Sequence, residues 1–200
     1  MGLEIVLATG ARSDIQAANV DPGLKRRFWR AIALNFLFMR PAALRTAARL
    51  LRFYQVSGLE GLSRRIGLTR LLPSDLRRLE PQAPAVAAKF SSALIAAREK
   101  PAGPVRARVA LLTGCVQDLV FSDINRDTAD VLLANGCEVE TPANQPCCGS
   151  LHAHNGEIDM ARTLARRMID LIPPDHYDAI ISNARRLRLP PATLRAAARR

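Results

Sequence analysis

Residues 108–184 read RVALLTGCVQDLVFSDINRDTADVLLANGCEVETPANQPCCGSLHAHNGEIDMARTLARRMIDLIPPDHYDAIISNA, and this stretch decides the fold. It holds all four cysteines and all three histidines of the chain. Apolar runs alternate in it with helical patterns: Val109 to Thr113, Asp123 to Ala134, Cys137 to Thr141, Gly156 to Ile172 and Tyr177 to Ser182. Strand, helix, strand, helix, strand is the rhythm of a parallel sheet with crossover helices. Right-handed crossovers put all three strands in one sheet. Ser122 or Asp123 caps the first helix and Asn135-Gly136 closes it. The expected class is therefore α/β, a small parallel three-stranded sheet with crossover helices, preceded by an α-helical region.

The cysteines fall at matching places on this unit. Cys115 ends the first strand, and Cys147-Cys148-Gly149 lies in the loop after the second. Ligands of open α/β sheets gather outside the carboxyl ends of the strands, so both sets face one edge. Three thiols converging there make a metal or redox site. Gly149 lets the backbone come close behind the pair, and the dipole of a following helix favours thiolate. Cys137 opens the second strand, away from that edge, and reads as a small buried hydrophobe. His152 and His154 follow the double cysteine. His152 could complete a Cys₃His zinc site; the blander reading, which is preferred, has both histidines capping or solvating a helix start. His176 precedes the third strand without an evident partner.

LLTGC and QPCCG, with thirty-one residues between Cys115 and Cys147, together resemble the cysteine-rich CCG-domain family. The wording LTGCVQD…PCCGSLHAHNG…DAIISNA is most similar to the glycolate oxidase iron–sulfur subunits, with lactate-utilisation proteins and heterodisulfide reductase B subunits as further relatives. The resemblance implies that Cys115, Cys147 and Cys148 ligate an iron–sulfur cluster of 4Fe-4S type, with Gly149 shaping the cofactor site. It implies electron transfer, not acid–base catalysis, in a complex whose FAD-bearing oxidase subunits oxidise glycolate or a related 2-hydroxy acid. It also implies a further cysteine shortly after Asn183-Ala184, ferredoxin-like motifs before this region and a second CCG repeat after it. The chain instead continues RRLRLPPATLRAAARR. It reads as the truncated middle portion of a longer subunit.

Charge divides the chain more informatively than its total of +11 does: residues 1–108 carry +12, residues 109–184 carry −7, and the last sixteen carry +6. An acidic cysteine domain at 105–184 thus stands between a helical region at 1–80, a linker rich in Pro and Ala at 81–104, and a basic tail at 185–200 expected to be disordered. Leu3 to Ala8 could form a short strand. Phe28, Ile32, Phe36 and Met39 make an apolar stripe beside Trp29, and Pro41 opens a second helix with Leu44, Ala47, Leu51 and Tyr54 on its apolar side. Packing in a core is the expected role of both stripes. Contact of a basic surface bearing Arg45, Arg49 and Arg52 with anionic lipid, as a peripheral membrane association, or with an acidic partner is the alternative. Ser74 caps DLRRLE, and a helix is expected over Val86 to Arg98.

Several classes have no sequence support. No GxGxxG follows the first strand and no GxxxxGK[ST] occurs, which removes a nucleotide site. Nucleic acid is not an expected partner. Four cysteines, two of them adjacent, do not form a secreted disulfide framework, so a reducing cytoplasm is expected. The start lacks a signal-peptide layout, and the longest nearly uninterrupted apolar run, Ala31 to Met39, is far too short to cross a bilayer. Three readings remain: an electron-transfer fragment, a zinc-binding interaction module, and an inactive truncated product.

Overall fold

The computed structural model describes residues 31–183, together with Leu24 and Phe28. The expected strand at Leu3 to Ala8, Trp29 and the basic tail lie outside the described residues. A π-helical segment, Ala31–Leu37, leads into α1, Pro41–Val56. Proline at the first position of α1 lacks only an N–H that would have no helical partner there. Short pieces follow: α2 at Leu59–Arg65, a 3₁₀ turn at Leu68–Leu71, α3 at Ser74–Leu79, and a second 3₁₀ turn at Glu80–Gln82. Then come α4 (Ser91–Leu94), β1 (Arg98–Glu99), β2 (Ala107–Leu112), α5 (Val116–Val120) and α6 (Ser122–Ala134). β3 (Cys137–Glu140), α7 (Ser150–His154), α8 (Ile158–Leu171), a 3₁₀ turn at Pro174–His176 and β4 (Ala179–Ser182) complete the described chain.

The sheet has four strands in the order β1-β3-β2-β4. β3 and β4 run parallel to β2 on either side of it, as the alternation of apolar runs predicts. The expected purely parallel three-stranded sheet needs correction, because β1 adds a short antiparallel edge to β3. Arg98 stands opposite Glu140 and pairs with it at 3.3 Å, and the amide of Thr141 donates to the carbonyl of Ala97 at 2.9 Å. An opposite-charge cross-strand pair is stabilising, and it closes an edge that would otherwise be bare. The helix expected over Val86 to Arg98 shrinks to α4, with its last residue, Arg98, paired in β1 instead.

Side chains alternate across β2, so both faces are covered. Val109 and Leu111 pack with Ile95, Ala129 and Val139 on one face; Ala110 and Leu112 pack with Ile172 on the other. A third cluster joins Leu44 and Ala48 of α1 to Val86, Phe90 and Leu119, with Cys115 packed against it. This cluster docks the N-terminal helix on the cysteine side of the domain. The upstream stripe behaves differently. Phe28 is 59% exposed and Phe36 49%, whereas Leu34 is buried. The i→i+5 winding of a π-helix turns residues at 3.6 spacing off a common face. No helix among the described residues is long and apolar enough to cross a membrane.

Candidate metal centre

Two loops build the centre, one from the carboxyl end of β2 and one from that of β3. After Leu112 the chain turns through Thr113 and Gly114 to Cys115, which precedes α5. After β3 the loop passes through Asn144, in the left-handed region at φ 58°, to Gln145, Pro146 and Cys147. Gln145 fastens the second loop to the first. Its Oε1 accepts from the Thr113 amide at 3.1 Å, and its Nε2 donates to the Leu111 carbonyl at 2.9 Å. The buried side-chain amide thus takes the place of a strand partner just beyond β3.

The consequence is a sulfur contact. Sγ of Cys115 lies 3.6 Å from Sγ of Cys147. All four cysteines are free thiols. Two sulfurs bound at about 2.3 Å to one tetrahedral ion stand about 3.8 Å apart, so this pair needs little movement to share a metal and more opening to serve separate irons. The Cys148 thiol is close enough to act on that of Cys147, so the three thiols influence one another. Among the described residues, no group of three or more His, Cys, Asp or Glu side chains forms a ready cage for an ion. Thiols are soft donors, the type that binds soft, thiolate-ligated groups.

The protons are unevenly held. The hydrogen bond shared with Cys147 holds the Cys115 thiol below its ordinary range, against the opposing effect of burial. Cys147 is pushed up to about 11, chiefly by its hydrogen bond with Cys115. Cys148 is raised by its hydrogen bond to Cys147 and by burial. Metal binding takes the thiolate form of such groups.

Gly149 has φ 81°, and a Cβ there would stand 2.7 Å from the Ala161 carbonyl oxygen. The close approach expected of this glycine is an approach to α8, and it anchors the double cysteine from behind. His152, the candidate fourth ligand, is fully buried with Nε2 2.9 Å from the Leu34 carbonyl oxygen. Its Nδ1 has no hydrogen-bond partner among the described residues. Cys137 packs at the edge of the Val109–Leu111 cluster, at the opposite end of β3 from the loop.

Other residues of the centre have little signature in the sequence. Asn125 is fully buried and donates to the Thr113 carbonyl and the Ser91 hydroxyl, both at 2.9 Å. Its Oδ1 accepts from Gln117 at 3.2 Å and from Asn183 at 3.0 Å. The ends of β2 and β4 are thereby tied at the cysteine edge, and a helical asparagine alone gives no hint of that. A small pocket beside Cys115 and Cys147 is lined also by Thr113, Asp118, Gln145 and, from α1, Arg45.

The sequence was also compared with known proteins. Residues 109–186 match the family model of the cysteine-rich domain, and residues 25–83 match that of the glycolate oxidase iron–sulfur subunit, linker region. A probable glycolate oxidase iron–sulfur subunit of Bacillus subtilis (strain 168) is 36% identical over 172 residues, covering 86% of this chain and 38% of the relative. Lactate utilization protein A of Oceanobacillus iheyensis is 36% identical over 70 residues, 35% of this chain and 29% of that protein. An uncharacterized iron–sulfur protein of Methanocaldococcus jannaschii is 34% identical over 82 residues, 41% of this chain and 17% of that protein. The chain thus spans well under half the length of these relatives. No solved structure matches it.

Proposed function

Residues 109–186 belong to the cysteine-rich domain family and residues 25–83 to the linker region of glycolate oxidase iron–sulfur subunits, and on that premise we propose that the chain is part of an electron-transfer subunit of a flavin-dependent complex. The substrate class is glycolate or a related 2-hydroxy acid such as lactate. Oxidising a 2-hydroxy acid to the 2-oxo acid releases two electrons. An FAD-bearing partner subunit would take them first, and iron–sulfur clusters of 4Fe-4S type would carry them on.

One observation carries this reading: sulfurs from two loops, 32 positions apart in sequence, meet at the carboxyl edge of the sheet. Cys115, Cys147 and Cys148 would hold the cluster through their thiolates, and Gly149 would hold the loop behind them. Bound there, the cluster supplies one-electron chemistry. The residues of this chain keep the thiols together, bury Cys147 and exclude water. Cys137 is assigned to packing and His152 to holding Leu34, which leaves a zinc site without a fourth ligand. Four free thiols suit a reducing, cytoplasmic setting.

Exposed Phe28, Phe36, Phe53 and Leu71, among arginines, support a partner-facing role for the N-terminal helices within the complex. Contact with an anionic lipid surface is the second reading, and flotation with anionic and neutral vesicles separates the two.

Anaerobic reconstitution with iron and sulfide tests the ligands. The three thiols of this edge are fewer than a cubane generally takes, so the 200-residue chain should hold iron and sulfide incompletely, and C115S, C147S and C148S should each abolish that uptake. C137S and H152A should retain it. Stoichiometric zinc retained in preference to iron, or uptake indifferent to all three serines, would overturn the assignment.

A further inference from the structure

Arg45 belongs to α1, outside the cysteine domain, yet it reaches the centre at two points. Its Nη1 donates to Asn144 Oδ1 at 3.1 Å, and its Nη2 lies 3.7 Å from Asp118 Oδ2. Asp118 is three residues after Cys115, and Asn144 is three residues before Cys147. The guanidinium therefore spans the two loops that bring the sulfurs together. It is the one cation among the residues lining the pocket that Cys115 and Cys147 share.

Asp118 explains why a cation is needed there. Its side chain is nearly buried, and Oδ1 accepts from the Ser91 amide at 2.7 Å. A buried carboxylate beside cysteines that act as thiolates is a like-charge arrangement, costly in a low dielectric unless a positive group compensates it. A guanidinium is the side-chain cation suited to a partly buried ion pair, and the Arg45 side chain is only 21% exposed, which limits screening by solvent.

We propose that Arg45 is the positioning and charge-balancing residue of the cysteine centre, the cation with which the linker helix offsets the negative charge of the thiolate set and of any cluster bound to it. The assignment deepens the ligand reading above and rests on it for the cluster. The guanidinium stands between the two loops in the cluster-free chain as well, so its effect on the local potential can be measured there separately.

The experiment compares alkylation of Cys115 in the cluster-free full chain by two reagents, anionic iodoacetate and neutral iodoacetamide, read by peptide mass spectrometry. The same thiolate attacks the methylene carbon of both and displaces iodide, so the ratio of their rates reports local potential and not thiol acidity. R45Q should lower the iodoacetate-to-iodoacetamide ratio about two- to fourfold, the size of one nearby charge acting through a largely aqueous dielectric. R45K should restore most of it, and D118N should raise it by a similar factor. An unchanged ratio in R45Q, or a fall as large in R45K, would overturn the proposal. Should R45Q not fold, R45K and D118N still decide: the ratio must stay in the first and rise in the second. If no variant takes up iron but the ratios behave as expected, the cluster reading fails and Arg45 keeps its role.

Discussion

A Cβ placed on Gly149 would lie 2.7 Å from the carbonyl oxygen of Ala161 and 3.1 Å from its Cα. Both neighbours are helix backbone, which cannot step aside as a flexible side chain could. The loop that carries the double cysteine is thus seated directly on α8. Gly149→Ala has to overcome this contact and a φ of 81° that L residues rarely adopt. It should cost about 2–4 kcal/mol of stability. A urea midpoint that hardly moves would show that the loop does not rest on α8 in solution.

Asn125 is expected to be the polar residue whose loss is felt most. Its replacement by alanine leaves the Thr113 carbonyl and the Gln117 and Asn183 amides without their shared partner. Stranding buried polar groups costs about 2–3 kcal/mol. Hydrogen exchange at the end of β4 should rise along with the loss of stability. Faster exchange without destabilisation would mean that water replaces the side chain.

The pairing of Glu99 with Arg126 gives the fold a pH dependence of known sign. Arg126 donates to both carboxylate oxygens at 2.8 Å and also to the carbonyl of Leu94 at 3.1 Å. The Arg126 hydrogen bonds hold the Glu99 carboxyl below its ordinary range. A depressed folded value means that stability is fully present above the unfolded value of about 4.3 and is lost as pH falls through the folded one. Between pH 5 and pH 3, values taken as the rough span around that range, Glu99→Gln should flatten the decline of the urea midpoint. An identical slope in wild type and variant would remove Glu99 from the acid response.

Gln145→Leu should separate the two sulfurs without touching either cysteine. Leucine fills a similar volume but cannot bond the Thr113 amide or the Leu111 carbonyl. Oxidation of Cys115 and Cys147 to a disulfide by diamide should then slow several-fold, because exchange chemistry depends on sulfur access. Equal rates would show that Gln145 is not what holds the loops together.

Parallel strands were legible because their apolar runs are long enough to show a period and are separated by helices of crossover length. Val109 to Thr113, Cys137 to Thr141 and Tyr177 to Ser182 became β2, β3 and β4 with shifts of one or two residues at their ends. The meeting of Cys115 with Cys147 followed from the same pattern, since parallel strands deliver their loops to one edge whatever those loops contain.

What the sequence by itself determined is therefore the set of features that repeat along the chain: strand and helix alternation, and the edge that collects the thiols. Tertiary structure decided the features that depend on a single partner elsewhere. Two residues, Arg98 and Glu99, have no period to read, and they became a strand only because β3 presented a free edge and Glu140 a charge. His152 turned to the carbonyl of Leu34, 118 positions away, and Arg45 to Asn144, 99 positions away. Local propensity extends over a few residues, whereas a buried polar atom accepts whichever distant group satisfies it. Which group that is depends on how α1 docks against the cysteine domain, and no pattern within either segment records it.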